Sequence, residues 1–382
     1  MISPSRPAIL HCHSTFSLGG KEARAVRLMN AFGDRARHTL LSAMPDQMGA
    51  RKAIDPAISV DFPDERRAPV LYGKPGPGRY LALARYFQNF DLILSYNWGS
   101  MDAVMAHRLL SRFMPLPPLI HHEDGFTADE SEKLNWKRSA FRRMALPTAR
   151  HIVVPSHRLE QIVRSEWGAK LPVERISNGI AIERYSAQPS ADAIPGFVRQ
   201  PGEVIVGTVA GLRAVKDLPL LVEALALVPP HVRLVIVGEG PERETILATA
   251  ARLGVAERVH LPGFLTDPVR YVGLFNMMAL SSLSEQQPIA VMEGMAAGLP
   301  IVAPPVGDVA AMVAASNAPF ITQRSAAALA EAISLLAEDH NLARQVGKAN
   351  RHKAADEFDE GRMIARYARL YGAAMGDAAL LD

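Results

Sequence analysis

Cysteine is almost missing from this chain. The only one among 382 residues is Cys12, so no intramolecular disulfide can form, and so little cysteine points to a reducing cytoplasm. No run of about 18 apolar residues occurs, which excludes a membrane-spanning helix. The start, Met1-Ile2-Ser3-Pro4-Ser5-Arg6, runs into a strand-like segment and lacks the apolar core and cleavage site of a signal peptide. Excess charge is small as well: 42 Lys+Arg against 39 Asp+Glu give +3, with a pI near 9.0. That mild basic excess suits anionic ligands or an anionic membrane surface. No nucleic-acid-binding module appears. Twelve histidines are scattered, and strand alternation would split His11 and Cys12 between two faces, so no metal site is expected. There is no Asp-x-Asp run and no Ser-His-Asp spacing of a hydrolase.

What is present is apolar material, 48% of residues at a mean hydropathy of +0.04. This describes a globular protein with large cores, and its length favours two domains. Short apolar runs alternate with amphipathic segments. Ile9–Cys12, Thr39–Ser42, Leu92–Ser95, Leu119–His122 and His151–Val154 read as one set of buried strands. Val204–Val209, Val232–Val237, Val259–Leu261, Met277–Leu280 and Pro300–Ala303 read as a second. Helical patterns such as Asp217–Val228 and Glu242–Leu253 lie between them. Two such alternations predict two doubly wound α/β domains with parallel sheets. The Pro- and Gly-rich stretch Ala187–Gly196 reads as the linker. An amphipathic pattern, Glu360–Met375, follows the last strand.

One segment is dense in signals. Glu285 and Glu293 have seven residues between them, with Pro288 in the gap and Gly298-Leu299-Pro300 after it. Proline favours the first helical position, so Pro288 is expected to start a helix that stops at Gly298. The amides of Ile289 and Ala290 would then be unpaired at a helix N-terminus and able to hold a phosphate. Glu285 falls before the helix, and Glu293 about one and a half turns into it. Each glutamate alone reads first as a solvated helix-end residue; it is the combination with Pro288, Gly298-Leu299-Pro300 and the preceding strand that favours a ligand site.

This run resembles the donor site of the retaining glycosyltransferases of GT-B fold, the large family 4 type. The resemblance rests on Glu285, Glu293, Met295–Pro300, Val306-Gly307-Asp308, Leu234–Pro241 and Val259–Phe264 in order. It is strong near residues 200–312 and weaker in the N-terminal half. It implies two Rossmann-like domains facing a cleft: an acceptor-binding domain at 1–188, a nucleotide-sugar-binding domain at 200–358, and a C-terminal helix at 359–382 packing back on the first. Two departures stand out. The family has Glu-Gly-Phe-Gly where this chain has Glu285-Gln286-Gln287-Pro288. Its Gly-Arg-Leu run, aligned on Lys216, puts Gly211 where the arginine belongs and leaves Arg213 two residues later.

The resemblance implies that Lys216, with Arg213 and the helix amides, stabilises a departing diphosphate, that Glu285 holds donor hydroxyls and that Glu293 holds the ribose. Gly238, Gly240 and Phe264 would line the nucleobase pocket. Gly19 and Gly20, with the trailing Glu22, match its N-terminal glycine loop, whose backbone can approach a phosphate. It implies a histidine beside the reacting sugar, with His121 first and His122 as alternate. The catalytic set is then His121, Lys216 and Glu285, with no metal and no cofactor. The implied reaction is transfer from a nucleotide sugar, UDP before GDP, to a glycan or lipid-linked acceptor. A nucleotide-sugar epimerase of the same fold and a non-catalytic nucleotide-sugar binder are the alternatives. The most basic segment, Lys133–Leu146, interleaves Trp136, Phe141 and Leu146 with five cations. It reads either as a solvated helix or as a peripheral contact with anionic lipid at the inner membrane face.

Overall fold

The computed structural model describes residues 6–17, 19–126, 130 and 134–382. The N-terminal run Met1–Ser5, Leu18 of the glycine loop and Lys133 of the basic segment lie outside the described residues. The chain divides into two units, residues 1–177 with 362–382, and residues 178–361.

Among the described residues the first unit holds seven strands: β1 (Ala8–His13), β2 (Arg37–Ser42), β3 (Val60–Asp61), β4 (Leu92–Tyr96), β5 (Leu119–His122), β6 (His151–Val154) and β7 (Val173–Arg175). Their order is β3-β2-β1-β4-β5-β6-β7, every pair parallel. The helices are α1 (Gly20–Phe32), α2 (Pro77–Phe87), α3 (Met101–Leu110), α4 (Trp136–Ala145) and α5 (His157–Ile162). A parallel sheet is covered on both faces, which is why β1 and β4 are buried at every position. Leu10, Cys12, Ile93 and Ile152 pack into one layer, and Ile9, Leu92, Leu94, Ile120 and Val153 into the other. Met363, Tyr367, Leu370 and Tyr371 complete that second layer, so the chain's last helix belongs to this unit.

The second unit holds β8 (Val204–Val209), β9 (Val232–Val237), β10 (Val259–Gly263), β11 (Met277–Ala279) and β12 (Ile301–Val302), all parallel in the order β10-β9-β8-β11-β12. Its helices are α6 (Leu218–Leu225), α7 (Arg243–Arg252), α8 (Ile289–Ala296), α9 (Val309–Met312), α10 (Ala326–Glu338) and α11 (His340–Glu357); α12 (Glu360–Ala374) follows. Val204 and Val206 face one core and Ile205 the other, the alternation of a strand buried on both sides.

Three local expectations change. The polar stretch read as a linker packs within the second unit: Ile194 and Phe197 are buried with Ile180 and Ile182 against Tyr271 and Phe275. Apolar residues at its edges outweigh its Pro and Gly content. Pro288 is the N-cap of α8 (φ −67°, ψ 121°) rather than its first residue. Gly298 does end that helix, at φ +74°, a conformation that favours glycine. Two edge strands, β3 and β7, went unread because they are short and largely polar.

Candidate functional site

In an open parallel sheet, ligands bind beyond the carboxyl ends of the strands, where the strand order reverses. In the second unit that point lies between β8 and β11. The loops following these strands meet there. Leu283 donates its amide to Val215 O (2.8 Å), and Ser281 Oγ donates to Lys216 O (2.9 Å). Lys216 Nζ stands 2.5 Å from Glu285 Oε1, which also accepts from Ser282 Oγ at 2.7 Å. The Lys216 and Glu285 side chains are only 19% and 10% exposed. Two of the expected residues, distant in sequence, thus form one partly buried ion pair. Ser282 was not foreseen; nothing marks a serine in a polar loop.

Arg213 is exposed and turns back over Gly211. A Cβ built on Gly211 would lie 3.3 Å from Arg213 Nε and 3.8 Å from its Cζ. The guanidinium therefore occupies the space beside position 211, although it is carried two residues later.

Gly238 and Gly240 owe their identity to a close approach. The loop after β9 runs against the loop after β8, with Ala210 N donating to Val237 O (3.0 Å) and Leu212 N to Glu239 O (2.9 Å). A Cβ on either glycine would overlap the carbonyl oxygen of Ala210 or Leu212. Beside them Glu239, Gly240, Arg243, Leu261, Pro262 and Gly263 line a pocket of about 390 Å³. Phe264, next in sequence, is 62% exposed.

The first helical hydrogen bond at α8 runs from Val291 N to Pro288 O (3.1 Å), so the amides of Ile289 and Ala290 lie ahead of it. Glu293 is buried on α8. Its carboxylate accepts from Tyr185, and burial followed by this charge pushes the Tyr185 hydroxyl well above its ordinary range; Tyr271 is raised for the same reasons. In the loop that departs from the family pattern, Gln287 turns inward and accepts the Asn178 amide at 2.8 Å. Its bulk braces the loop internally.

In the first unit the order reverses between β1 and β4, and again the flanking loops touch: a Cβ on Gly99 would collide with Ser14. Gly19 is the N-cap of α1 and Gly20 its first residue. Glu22 is buried, accepts from Thr15 Oγ1 (3.1 Å) and pairs with Lys21. His121 and His122 are both fully buried and point to opposite faces of β5. His122 is committed on both nitrogens, to Ser95 O (3.2 Å) and to the Tyr371 hydroxyl (2.8 Å); burial, then Arg24 and His121, holds its pKa well below the ordinary value. His121 Nδ1 meets Ser95 Oγ at 2.9 Å, and its Nε2 lies 3.7 Å from Glu123 Oε2. Of the two, His121 keeps a nitrogen not spent on a hydrogen bond. The partly accessible acid of this strand end is Asp124, gripped by Arg24 Nη2 at 2.8 Å. Arg24 was missed because it sits a hundred residues from its partner, in an unremarkable helix.

The basic segment separates by depth. Trp136, Lys137, Arg143 and Met144 are exposed on α4, Phe141 is half-buried, and Arg142 and Leu146 are fully inside. Among the described residues no cluster of His, Cys, Asp and Glu could hold a metal ion, and no helix is long and apolar enough to cross a membrane.

Comparison with known proteins adds three findings. Residues 189–353 match the family model of glycosyl transferases group 1, and residues 18–184 match that of glycosyltransferase family 4. Among curated proteins, N-acetyl-alpha-D-glucosaminyl L-malate synthase of Bacillus anthracis is 26% identical over 173 residues, 44% of this chain and 45% of that protein. The chain thus spans less than half the length of that relative. The lipopolysaccharide core biosynthesis glycosyltransferase LpsD of Rhizobium meliloti is 25% identical over 381 residues, 95% of this chain and 97% of its own. Among solved structures, Anabaena Alr3699/HepE in complex with UDP superposes with a TM-score of 0.79 at 21% identity, covering 96% of this chain and 100% of that one.

Proposed function

Because the chain belongs to the group 1 glycosyltransferases of GT-B fold, we propose that it is an active, retaining enzyme that moves a sugar from a nucleotide-diphosphate sugar to a glycan or lipid-linked acceptor. The observation that carries this reading is the Lys216–Glu285 pair at the point where the β8 and β11 loops meet. A cation fixed there, at the carboxyl edge of the sheet and paired with Glu285, which precedes the amides of Ile289 and Ala290 in sequence, suits a diphosphate leaving group. Arg213, reaching back over Gly211, adds a second cation. In this reading the chain's own cations do what a divalent metal does elsewhere, and no cofactor is needed.

Glu285 accepts donor-sugar hydroxyls and Glu293 accepts from the ribose. The pocket beside Gly240 takes the base, with Phe264 at its side. UDP is favoured over GDP because the structure of Anabaena HepE holds UDP. The first unit binds the acceptor, with His121 as its catalytic histidine, and the glycine loop of Gly19 and Gly20 is assigned to phosphate binding. The likeness to LpsD supports polysaccharide or glycolipid assembly as the setting. A lipid-linked acceptor would also give the exposed Trp136, Lys137, Arg143 and Met144 an anionic inner membrane face to rest on.

The test is a thermal-shift screen across nucleotides and sugar nucleotides, followed by donor turnover. A ligand at a hundredfold over its Kd raises stability by about 3 kcal/mol. Lys216→Ala should keep the fold and lose about 10²–10³-fold in kcat, the scale of one lost transition-state donor. Binding without turnover of any sugar nucleotide by the native protein would leave it a binder rather than an enzyme.

A further inference from the structure

Helix α4 is built inside out. It shows Trp136 and Met144 to solvent and buries Ser139 and Arg142. Arg142 is 1% exposed, and its guanidinium carbon lies 4.6 Å from the ring centre of Trp167, 5.2 Å from Trp98 and 5.5 Å from Phe126. Within this aromatic cage Arg142 Nε stands 3.3 Å from Glu123 Oε2, and Nη1 stands 3.5 Å from Glu130 Oε1. Glu130 also takes Arg138 Nη1 at 2.9 Å and the amide of Asn135, the N-cap of α4, at 3.0 Å.

Glu123 directly follows β5, and Asp124 follows Glu123. Adjacent residues of an extended chain point to opposite sides. Each of these two acids meets a buried arginine on its own side: Arg142 from α4 for Glu123, Arg24 from α1 for Asp124. The Glu123 amide is tied to Val153 O (3.0 Å) and the Asp124 amide to Asn97 Oδ1 (2.8 Å). The carboxyl end of β5 is thereby held from both faces, beside His121. Stability alone does not call for such a cluster. Burying two acids and an arginine costs desolvation that their attraction at best offsets, and apolar residues of the same volume often serve equally well.

We propose that Arg142 is a positioning residue: its guanidinium holds Glu123 and Glu130 and so fixes the His121–Asp124 strand end for the acceptor. The inference rests on the reading that the first unit carries the acceptor. Removing the whole charge cluster tests it. The triple variant Glu123→Gln, Glu130→Gln, Arg142→Met nearly keeps side-chain volumes and removes both buried acids together with their buried arginine; Arg138, 24% exposed, loses its Glu130 partner but still reaches solvent. Arg142→Lys keeps the charge but loses the planar fork. The readouts are unfolding followed by tryptophan emission, UDP affinity by titration, and transfer from UDP-glucose to a panel of alkyl glycosides.

The triple variant should unfold near the native midpoint and bind UDP with an unchanged Kd. Its kcat/KM for the acceptor should fall tenfold or more. Arg142→Lys should fall between the two, mainly through acceptor KM. Acceptor kcat/KM within twofold of native in the triple variant overturns the inference and leaves the transferase reading standing. So does an unfolded triple variant alongside Arg142→Lys at native activity, because the cluster is then structural only. A native protein that turns over no sugar nucleotide, with water or with any acceptor, overturns the transferase reading and this inference with it.

Discussion

Acidification should unfold the first unit well before ordinary acid denaturation. His11, His13, His38 and His122 are all buried there, at 2% exposure or less. Burial holds His11, His13 and His122 well below the ordinary value of 6.5, with neighbouring charges adding to it, and lowers His38 to about 4. Lys21 and Arg24 face His13, Arg24 faces His122, and Tyr96 stacks on His11, His13 and His122. The unfolded chain takes up protons near pH 6.5 and the folded chain does not. Stability is therefore intact above 6.5 and is lost as pH falls below it. Between pH 7.5 and 5.5 each histidine costs about 1.4 kcal/mol, so four cost about 5, comparable with a whole domain's stability. All three tryptophans of the chain, Trp98, Trp136 and Trp167, belong to this unit, so their emission follows it alone. At about 2–3 kcal/mol/M the urea midpoint should drop by about 2 M across that pH range. His13 makes no hydrogen bond through either ring nitrogen. His13→Phe, which keeps the stacking on Tyr96, should therefore flatten the dependence by about a quarter. A midpoint that holds steady from pH 7.5 to 5.5, or a His13→Phe profile parallel to the native one, refutes the account.

Two further outcomes follow from the second unit. Arg213→Ala should weaken UDP binding about tenfold, the low end for a charge-assisted hydrogen bond at an exposed group, and leave uridine affinity unchanged; Gly211→Ala should do part of this by pushing the guanidinium aside, and equal losses for UDP and uridine would show that Arg213 does not meet the diphosphate. Gly307 sits at φ +57° with the Glu285 and Gln286 carbonyls where a Cβ would go, so Gly307→Ala should cost the second unit about 2 kcal/mol or more and weaken UDP binding by shifting Glu285, as read by thermal unfolding with and without UDP.

The sheets were legible because parallel strands buried on both faces leave runs dense in apolar residues, as in Leu92-Ile93-Leu94 and Leu234-Val235-Ile236-Val237. Edge strands lack that signature: Val173-Glu174-Arg175 is half-exposed throughout and reads as loop. The turns at Gly238, Gly240 and Pro288 were legible through glycines and prolines, whose backbone demands are local. Arg142 was not. A run of cations on a helix reads as a wet face, and only tertiary structure brings together the three rings and two acids that bury this one. The same holds for Gln287. In sequence it is only a departure from the family pattern, yet its side chain is folded in to accept the Asn178 amide.

The two glutamates that flank Pro288 differ in a way that their spacing only hints at. Glu285, outside the helix, is compensated by an ammonium and a hydroxyl from its own unit. Its charge is already partly balanced, so exchanging Ser282 Oγ for a ligand hydroxyl changes little electrostatically and keeps it a ready acceptor. Glu293, inside the helix, receives a tyrosine hydroxyl in a setting where burial is nearly complete. A carboxylate in that position is oriented rather than merely tolerated, because turning it would leave a buried charge without its donor. In the proposed reading an anionic diphosphate entering near Lys216 would compete with Glu285 for the same cation. Arg213, the second cation of the proposed site, would then let Lys216 keep Glu285 while the leaving group is held.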